Sequence, residues 1–206
     1  MTFYRQRVLP RVTNVALGRG EYEPIRHRVA AGLAGEVLEV GFGSGLNVPH
    51  YPPSVTRVLA VDPATAGRKL AAERIARSRV PVEFVGLDGQ RLPIASASVD
   101  HVLTTWTMCS IPEIEAALGE MRRVLRAGGE LHFAEHGRSP DPGVAEWQDR
   151  LTPLHRLVFG GCHLNRPIEL LITQAGFAMI SVQNYYNKGP RPMKYIYEGR
   201  AARSQP

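Results

Sequence analysis

Residues 37–45 read Val-Leu-Glu-Val-Gly-Phe-Gly-Ser-Gly, and Val61-Asp62 closes the next apolar run. Glycines at 41, 43 and 45 let backbone N–H groups approach a ligand with no Cβ in the way. A carboxylate at the end of the following run completes a pocket for a nucleoside-bearing cofactor, built at the carboxyl edge of a parallel sheet. Farther along stand groups that could act on a second molecule. They are His136 at the end of an apolar run, Cys109, and the segment Cys162-His163-Leu164-Asn165-Arg166. Histidine titrates near neutrality, so His136 is the candidate general base, or a cation that stabilises an anionic nucleophile. A histidine that only hydrogen-bonds its loop is the alternative. Cys162 and His163 could floor a pocket, or Cys162 could be core, and Cys109 reads as a small buried residue. Two cysteines and two histidines raise the question of a metal, but their spacing matches no compact metal motif. No metal is therefore expected.

The glycine spacing discriminates between cofactors. A dinucleotide site prefers Gly-x-Gly-x-x-Gly, the third glycine letting the helix pack on the strand. Here that position is Leu46, and the pattern is Gly-x-Gly-x-Gly. Glu39 lies two residues before the turn, where a carboxylate would repel an anionic pyrophosphate. A ligand carrying an ammonium tolerates it. Both observations argue against a nicotinamide-dependent oxidoreductase.

The elements that must hold these groups alternate. Strand patterns occur at 36–40, 57–61, 82–85, 99–104 and 130–134, with helix patterns at 65–78 and 112–125. The second of these helices should end near Gly128-Gly129. Such alternation implies an α/β fold with a parallel sheet, right-handed crossovers and helices on both faces. Residues 144–160 read as a helix carrying Pro153, and 166–175 as another before Gly176. Strand candidates at 177–182 and 193–198 are joined by Asn187-Lys188-Gly189-Pro190, turn chemistry that suggests an antiparallel hairpin. Ahead of the core, residues 3–17 look helical, and Pro10 interrupts the pattern, so a kink or two short helices is expected. Residues 21–34 form a second helix, with Pro24 in its first turn and Gly35 closing it.

The chain has 206 residues, suited to one domain, with 44% hydrophobic and 21% charged residues. No apolar stretch approaches the ~20 residues that span a bilayer. Residues 1–7 lack the apolar core of a signal peptide, so a cytoplasmic location is the default expectation. The net charge of +6 is scattered, richest at the two ends, and no basic block alternates with aromatics. Nucleic acid is therefore not the expected partner. A basic surface leaves peripheral contact with an anionic membrane open.

S-adenosyl-L-methionine has the charge pattern the turn favours: an ammonium, a carboxylate and a sulfonium, with no phosphate. The chain resembles the class I S-adenosylmethionine-dependent methyltransferases of the type 11, ubiquinone-methyltransferase-like group. The motifs that carry the resemblance are residues 37–45, Val61-Asp62-Pro63, Leu87-Asp88-Gly89, Ser98–Trp106 and Arg123–Gly129. It implies a Rossmann-like fold with a mostly parallel seven-stranded sheet and a C-terminal antiparallel hairpin. Residues 35–206 would be the donor-binding domain and 1–34 a helical lid or cap. The resemblance further implies that Gly41, Phe42, Gly43, Gly45 and Asn47 surround the methionine moiety. Glu39 would order the turn or accept from the ammonium through water. Asp62, beside Pro63, would accept from the ribose hydroxyls. Asp88, with Gly89 nearby, would accept from the adenine amino group, and Thr105 and Trp106 would line the sulfonium side. Asp62 could instead be a helix cap, Asp88 a turn residue and Trp106 plain core. Asp100 reads as structural.

Beyond residue 130 the chain reads Phe133-Ala134-Glu135-His136-Gly137, then Trp147-Gln148, Pro153, His155 and Gly160–Arg166. With Cys109-Ser110, this is similar to the branch that holds the microsomal alkyl thiol methyltransferases. Those mammalian enzymes begin with an apolar anchor, where this chain has the short, basic segment Tyr4–Leu17. The likeness implies a small lipophilic acceptor, with thiol S-methylation favoured and S-adenosyl-L-homocysteine as co-product. Cys109, His163 and Arg166 would then line the acceptor pocket, His136 would be catalytic, and Tyr4 would cover the pocket as a lid. O- or N-methylation of a quinol, phenol or phospholipid head group is the alternative, as is a catalytically silent module. Oligomeric state is not fixed.

Overall fold

The structure, a computed structural model, describes residues 3–204. Seven strands form one sheet: β1 (Gly35–Val40), β2 (Val55–Val61), β3 (Val82–Gly86), β4 (Val99–Thr105), β5 (Leu125–His136), β6 (Phe177–Tyr186) and β7 (Tyr195–Arg203). Their order is β3-β2-β1-β4-β5-β7-β6. The first five run parallel, and β7 pairs antiparallel with both β5 and β6. This is the expected mostly parallel sheet with an antiparallel C-terminal pair. Strand order reverses direction between β1 and β4, and ligands of open α/β sheets bind at that switch point, outside the carboxyl ends.

Alternation along β1 divides the two faces. Leu38 and Val40 join a core with Val102, Leu131 and Phe133 under α4 (Ile114–Val124) and α6 (Ile168–Gln174). Val37 joins the other, with Val58, Ala60 and Leu103, under α2 (Glu23–Ala30) and α3 (Thr65–Arg77). In α4 the buried residues Ile114, Ala117, Leu118, Met121 and Val124 make a stripe at helical spacing. Helix α5 (Pro142–Val158) starts on Asp141, whose carboxylate accepts from Gly143 N, and tolerates Pro153 inside it.

Two boundaries differ from the sequence reading. Gly128-Gly129 do not close α4, which ends at Val124 because Leu125 turns fully buried into β5. Val99 pairs with Leu125 and His101 with Glu130, so residues 126–129 bulge out of the strand, with Gly128 at φ +78°. Gly35 opens β1 rather than closing α2, and the Asp100 carboxylate beside it accepts from Glu36 N. The N-terminal segment is two short helical pieces, as Pro10 suggested: a π-turn at Tyr4–Val8 and α1 (Leu9–Leu17), with Pro10 in the first turn of α1.

The glycine turn is fixed by a close approach. A Cβ on Gly67 of α3 would lie 2.6 Å from Gly43 O, so α3 seats directly on the turn. Gly67→Ala should therefore destabilise the protein by about 1–3 kcal/mol. Gly119→Ala, in α4 with no atom within 4 Å of the added Cβ, should be neutral or stabilising by up to about 1 kcal/mol. Thermal or urea unfolding of the two variants checks this, and equal effects would contradict the close-packing argument.

Candidate functional site

Gly41, Gly43 and Gly45 take φ of +80°, +56° and +72°, values that L side chains rarely adopt. They carry the chain away from β1, and the turn closes on itself: Gly41 N and Phe42 N donate to Val61 O, and Gly45 N donates to Phe42 O. One carboxylate locks the turn: Asp62 accepts from Gly43 N at 2.7 Å and from Ala64 N at 2.7 Å. Burial raises the Asp62 pKa, and those two bonds oppose the rise. Asp62 thus sits where a ribose-binding acid is expected while also organising the loop. Pro63 follows it, exposed. Asp88 is exposed and accepts from both the backbone and side-chain amides of Gln90, a turn that presents it beyond β3 beside Gly89. Phe42 is buried edge-to-face on Phe84, 5.2 Å between centroids, so its ring supports the turn from the core side.

Beneath the turn lies a buried polar network. Asn47 donates to Glu39 Oε1 at 2.9 Å and to Thr105 Oγ1 at 3.0 Å. Arg26 Nη1 donates to Asn47 Oδ1 at 2.6 Å and to Thr105 Oγ1 at 3.1 Å. The Tyr51 hydroxyl donates to Glu39 Oε2. Desolvation pushes Glu39 up to about 7 and Arg26 down to about 10. Arg26 also stacks on Trp106, 4.8 Å from the ring centroid, while Tyr22 meets that ring edge-on at 5.0 Å. Trp106 holds φ +49°, a strained conformation for a bulky residue. Among the described residues Arg26 Nη2 makes only a 3.4 Å hydrogen bond, to Leu17 O. The sequence reading did not include Arg26, yet it left a signal. Tyr22, Ile25, Arg26, Val29, Ala30 and Leu33 are all buried, so this arginine interrupts an apolar helix stripe.

The acceptor-side candidates gather at the carboxyl ends of β4 and β5. His136 Nε2 lies 2.8 Å from Cys162 Sγ, and Cys162 Sγ lies 3.0 Å from Cys109 Sγ. All three residues are buried. Burial lowers and the neighbouring Cys109 raises the His136 pKa, with a net rise, while the contact with Cys162 and burial raise Cys109. Their spacing along the chain did not announce this cluster. His163 holds Cys109 in place, with its backbone N at 2.8 Å and Nδ1 at 3.1 Å from Cys109 O. Arg166 is clamped to Met108 O and Ile111 O, so its guanidinium fastens the β4–α4 loop. Gln148, buried, donates to Gly137 O at 2.8 Å and accepts from Ser139 N at 2.8 Å, fastening the loop after His136. Tyr4 donates to Val158 O at 2.7 Å at the end of α5, so it tethers the N-terminal segment.

That segment touches both halves of the site. Gly18 approaches Leu46 beside the glycine turn, and Leu9 packs on Gly160 two residues before Cys162.

A family model for a methyltransferase domain matches residues 38–133. The human thiol S-methyltransferase TMT1A is 36% identical over 160 residues, 75% of this chain and 65% of that protein. Human TMT1B, named as a thiol S-methyltransferase, is 34% identical over 174 residues, 82% of this chain and 69% of that protein. The chain belongs to the methyltransferase family. It spans about two thirds of the length of these curated relatives. A solved S-adenosylmethionine-dependent methyltransferase from Thermotoga maritima superposes with a TM-score of 0.68 at 21% identity, covering 98% of each chain. At that identity the likeness concerns the fold. Within this methyltransferase, the matched region carries the glycine turn, Asp62, Asp88 and Thr105, whereas Arg26 and His136–Arg166 fall outside it.

The pKa of Glu39 makes a testable consequence. Near 4.5 when exposed and about 7 when buried, it binds a proton more tightly in the folded state. Folding therefore takes up a proton between those values, and this contribution to stability falls as pH rises from about 4.5 to about 7. The stability of the wild type relative to Glu39→Gln should fall across that window. Urea unfolding of both proteins at several pH values measures it, and a constant difference would refute the assignment.

Proposed function

We propose that this methyltransferase transfers the methyl group of S-adenosyl-L-methionine to the sulfur of a small lipophilic thiol. The observation that carries the thiol is the reach of the similarity: it extends over 82% of the chain, well beyond the donor-binding residues 38–133. The cluster of Cys109, His136 and Cys162 at the sheet's carboxyl edge supports it, because that edge is where such folds present their second substrate.

The residues present fit the donor. The positive-φ glycines make a turn that side chains could not, since a Cβ on Gly41 would strike Thr107 and one on Gly45 would crowd Ala71 and Val48, and the buried Glu39 and Arg26 offer opposite charges beneath it. In this reading Gly41, Gly43, Gly45 and Asn47 hold the methionine moiety. Glu39 favours its ammonium, and Arg26, with Nη2 scarcely engaged, favours its carboxylate. Asp62, beside Pro63, accepts from the ribose, and Asp88 with the Gly89 N–H meets the adenine edge. Thr105 and Trp106 wall the sulfonium side. The bound donor supplies an electrophilic methyl on a positively charged sulfur. An acceptor thiolate would take that methyl, with S-adenosyl-L-homocysteine as the co-product. The chain must therefore align the nucleophile, exclude water and stabilise a thiolate. His136 stabilises that thiolate, and Cys109, His163 and Arg166 shape the pocket around it. Residues 1–34 form a lid, tethered through Tyr4 and bridging Leu46 and Gly160.

Among the described residues no helix is long and apolar enough to cross a membrane. Exposed Phe3, Val12 and Val15 nevertheless lie on the segment tied to the end of α5, where Leu154 and Leu157 are also exposed. Exposed Arg7, Arg11 and Arg156 belong to the same two segments. This face suits peripheral contact with an anionic membrane, which would deliver a lipophilic acceptor to the lid. Flotation with anionic vesicles should carry the protein, and Val15→Glu with Leu157→Glu should abolish it. Equal recovery of wild type and variant would overturn the proposal.

Transfer from labelled donor to a panel of thiols, quinols, phenols and phospholipids tests the function. Methylated thiols are expected, and a panel in which only oxygen or nitrogen acceptors react would overturn the thiol reading. Asp62→Ala should weaken donor binding by about 1–3 kcal/mol, read by calorimetry, and unchanged affinity would remove the ribose role.

A further inference from the structure

We infer that Cys109, His136 and Cys162 form a binding site for one thiophilic divalent cation, with Zn2+ the ion that fits, whose open position takes the acceptor's sulfur. The second half of this inference rests on the thiol reading above, and the first half does not.

Donor chemistry comes first. Two cysteine sulfurs and an imidazole nitrogen, all buried, lie within 4.8 Å of one another. Around a tetrahedral zinc, with bonds of ~2.3 Å to sulfur and ~2.0 Å to nitrogen, neighbouring donors stand roughly 3.4–3.8 Å apart. Here they stand 2.8 Å and 3.0 Å apart along two sides. Admitting the ion asks each donor to move by well under about 1 Å, which side-chain rotation supplies.

The frame around the donors is already rigid. Cys109 O is held by His163, Cys162 O by His155 Nδ1 at 3.1 Å, and the loops on either side by Arg166 and Gln148. These backbone anchors leave both thiols and the imidazole Nε2 free to face one point. Donors built this way on three separate segments make a preorganised site, not a chance surface cluster. His136 Nδ1 is buried with no partner among the described residues, so it remains available to a water or an acceptor group.

Three protein donors is the count of a catalytic zinc, which keeps a fourth position open, whereas structural zinc closes with four. Charge supports the same conclusion. Two thiolates balance the dication, so the loaded site is neutral and can stay buried. Binding releases the two cysteine protons to solvent. An acceptor thiol that enters the open position releases one more and becomes a thiolate. Methyl transfer then forms the new carbon–sulfur bond as the donor's methyl–sulfonium bond breaks, S-adenosyl-L-homocysteine departs, and the thioether product, a poorer ligand without charge, leaves the ion. His136 stabilises the thiolate as a ligand of the ion.

The test uses the full chain, reduced and freed of metal, then titrated with Zn2+ and with Co2+ as its coloured substitute. About one equivalent of Zn2+ per chain is expected, together with a thiolate-to-cobalt charge-transfer band. Cys109→Ala and Cys162→Ala should each weaken the band, and the double variant should lose the metal. Calorimetric binding of S-adenosyl-L-homocysteine reports whether these variants keep the donor half folded. Should either alanine variant not fold, Cys109→Ser and Cys162→Ser give the same readout. A small alkanethiol should shift the cobalt spectrum, and its methyl thioether should not. No uptake by the reduced protein, or a spectrum that survives both substitutions, overturns the site. Uptake with a spectrum blind to alkanethiol overturns the acceptor half alone. Thiols methylated equally well by metal-free protein would likewise overturn the acceptor half, while leaving the thiol function standing.

Discussion

Two opposite charges taken out of water, Arg26 and Glu39, set the terms for the donor half of this molecule. Neither can stay buried alone at acceptable cost. They do not touch; Asn47 bridges them, and Thr105 accepts from both Asn47 and Arg26. Four elements thereby depend on one network: α2, the end of β1, the chain after the glycine turn, and the end of β4. Replacing any member leaves a buried partner unsatisfied, which costs more than the bond itself was worth. The network also explains why an acidic residue is tolerated beneath a glycine turn that would otherwise suit phosphate.

The half around Cys109, His136 and Cys162 is built on another plan. Its buried polar side chains serve the backbone. Arg166 fastens Met108 and Ile111, Gln148 fastens Gly137 and Ser139, and His163 fastens Cys109. Loops that would otherwise wander are thus tied to fixed points, and three soft donors converge as a result. The consequence is a low tolerance for change in side chains whose partners are backbone amides and carbonyls.

These two plans account for what could be read in advance. The donor half is local: glycine turn, Glu39 and Asp62 lie on adjacent strands, close in sequence, so type and spacing expose them. The parallel sheet and its antiparallel finish followed from alternation and from the turn residues near Gly189. Arg26 was hidden because a helix predicted from its apolar face invites no question about a lone arginine on it. The cysteine–histidine cluster was hidden because its members come from three segments, and only tertiary packing brings Cys109 to Cys162. Gly128-Gly129 misled because a double glycine ends a helix and makes a bulge equally well; pairing of Leu125 with Val99 decided for the bulge.

Strain is distributed in the same sense. Trp106 takes a left-handed conformation that a bulky side chain avoids, and the other non-glycine residue with positive φ, Ala97, is small. Trp106 N is bonded to Ala134 O at 2.8 Å, and its ring is gripped by Arg26 and Tyr22. Helix α2, the turn before it and the sheet together therefore over-determine a conformation the residue would not choose. That conformation turns the chain sharply at the end of β4, and three residues later Cys109 reaches its partners. The donor network grips the ring, and the acceptor loop begins at its carbonyl, which Cys109 Sγ approaches at 3.8 Å. Trp106 is thus the joint between the two halves, and any movement of α2 that releases Arg26 would loosen both.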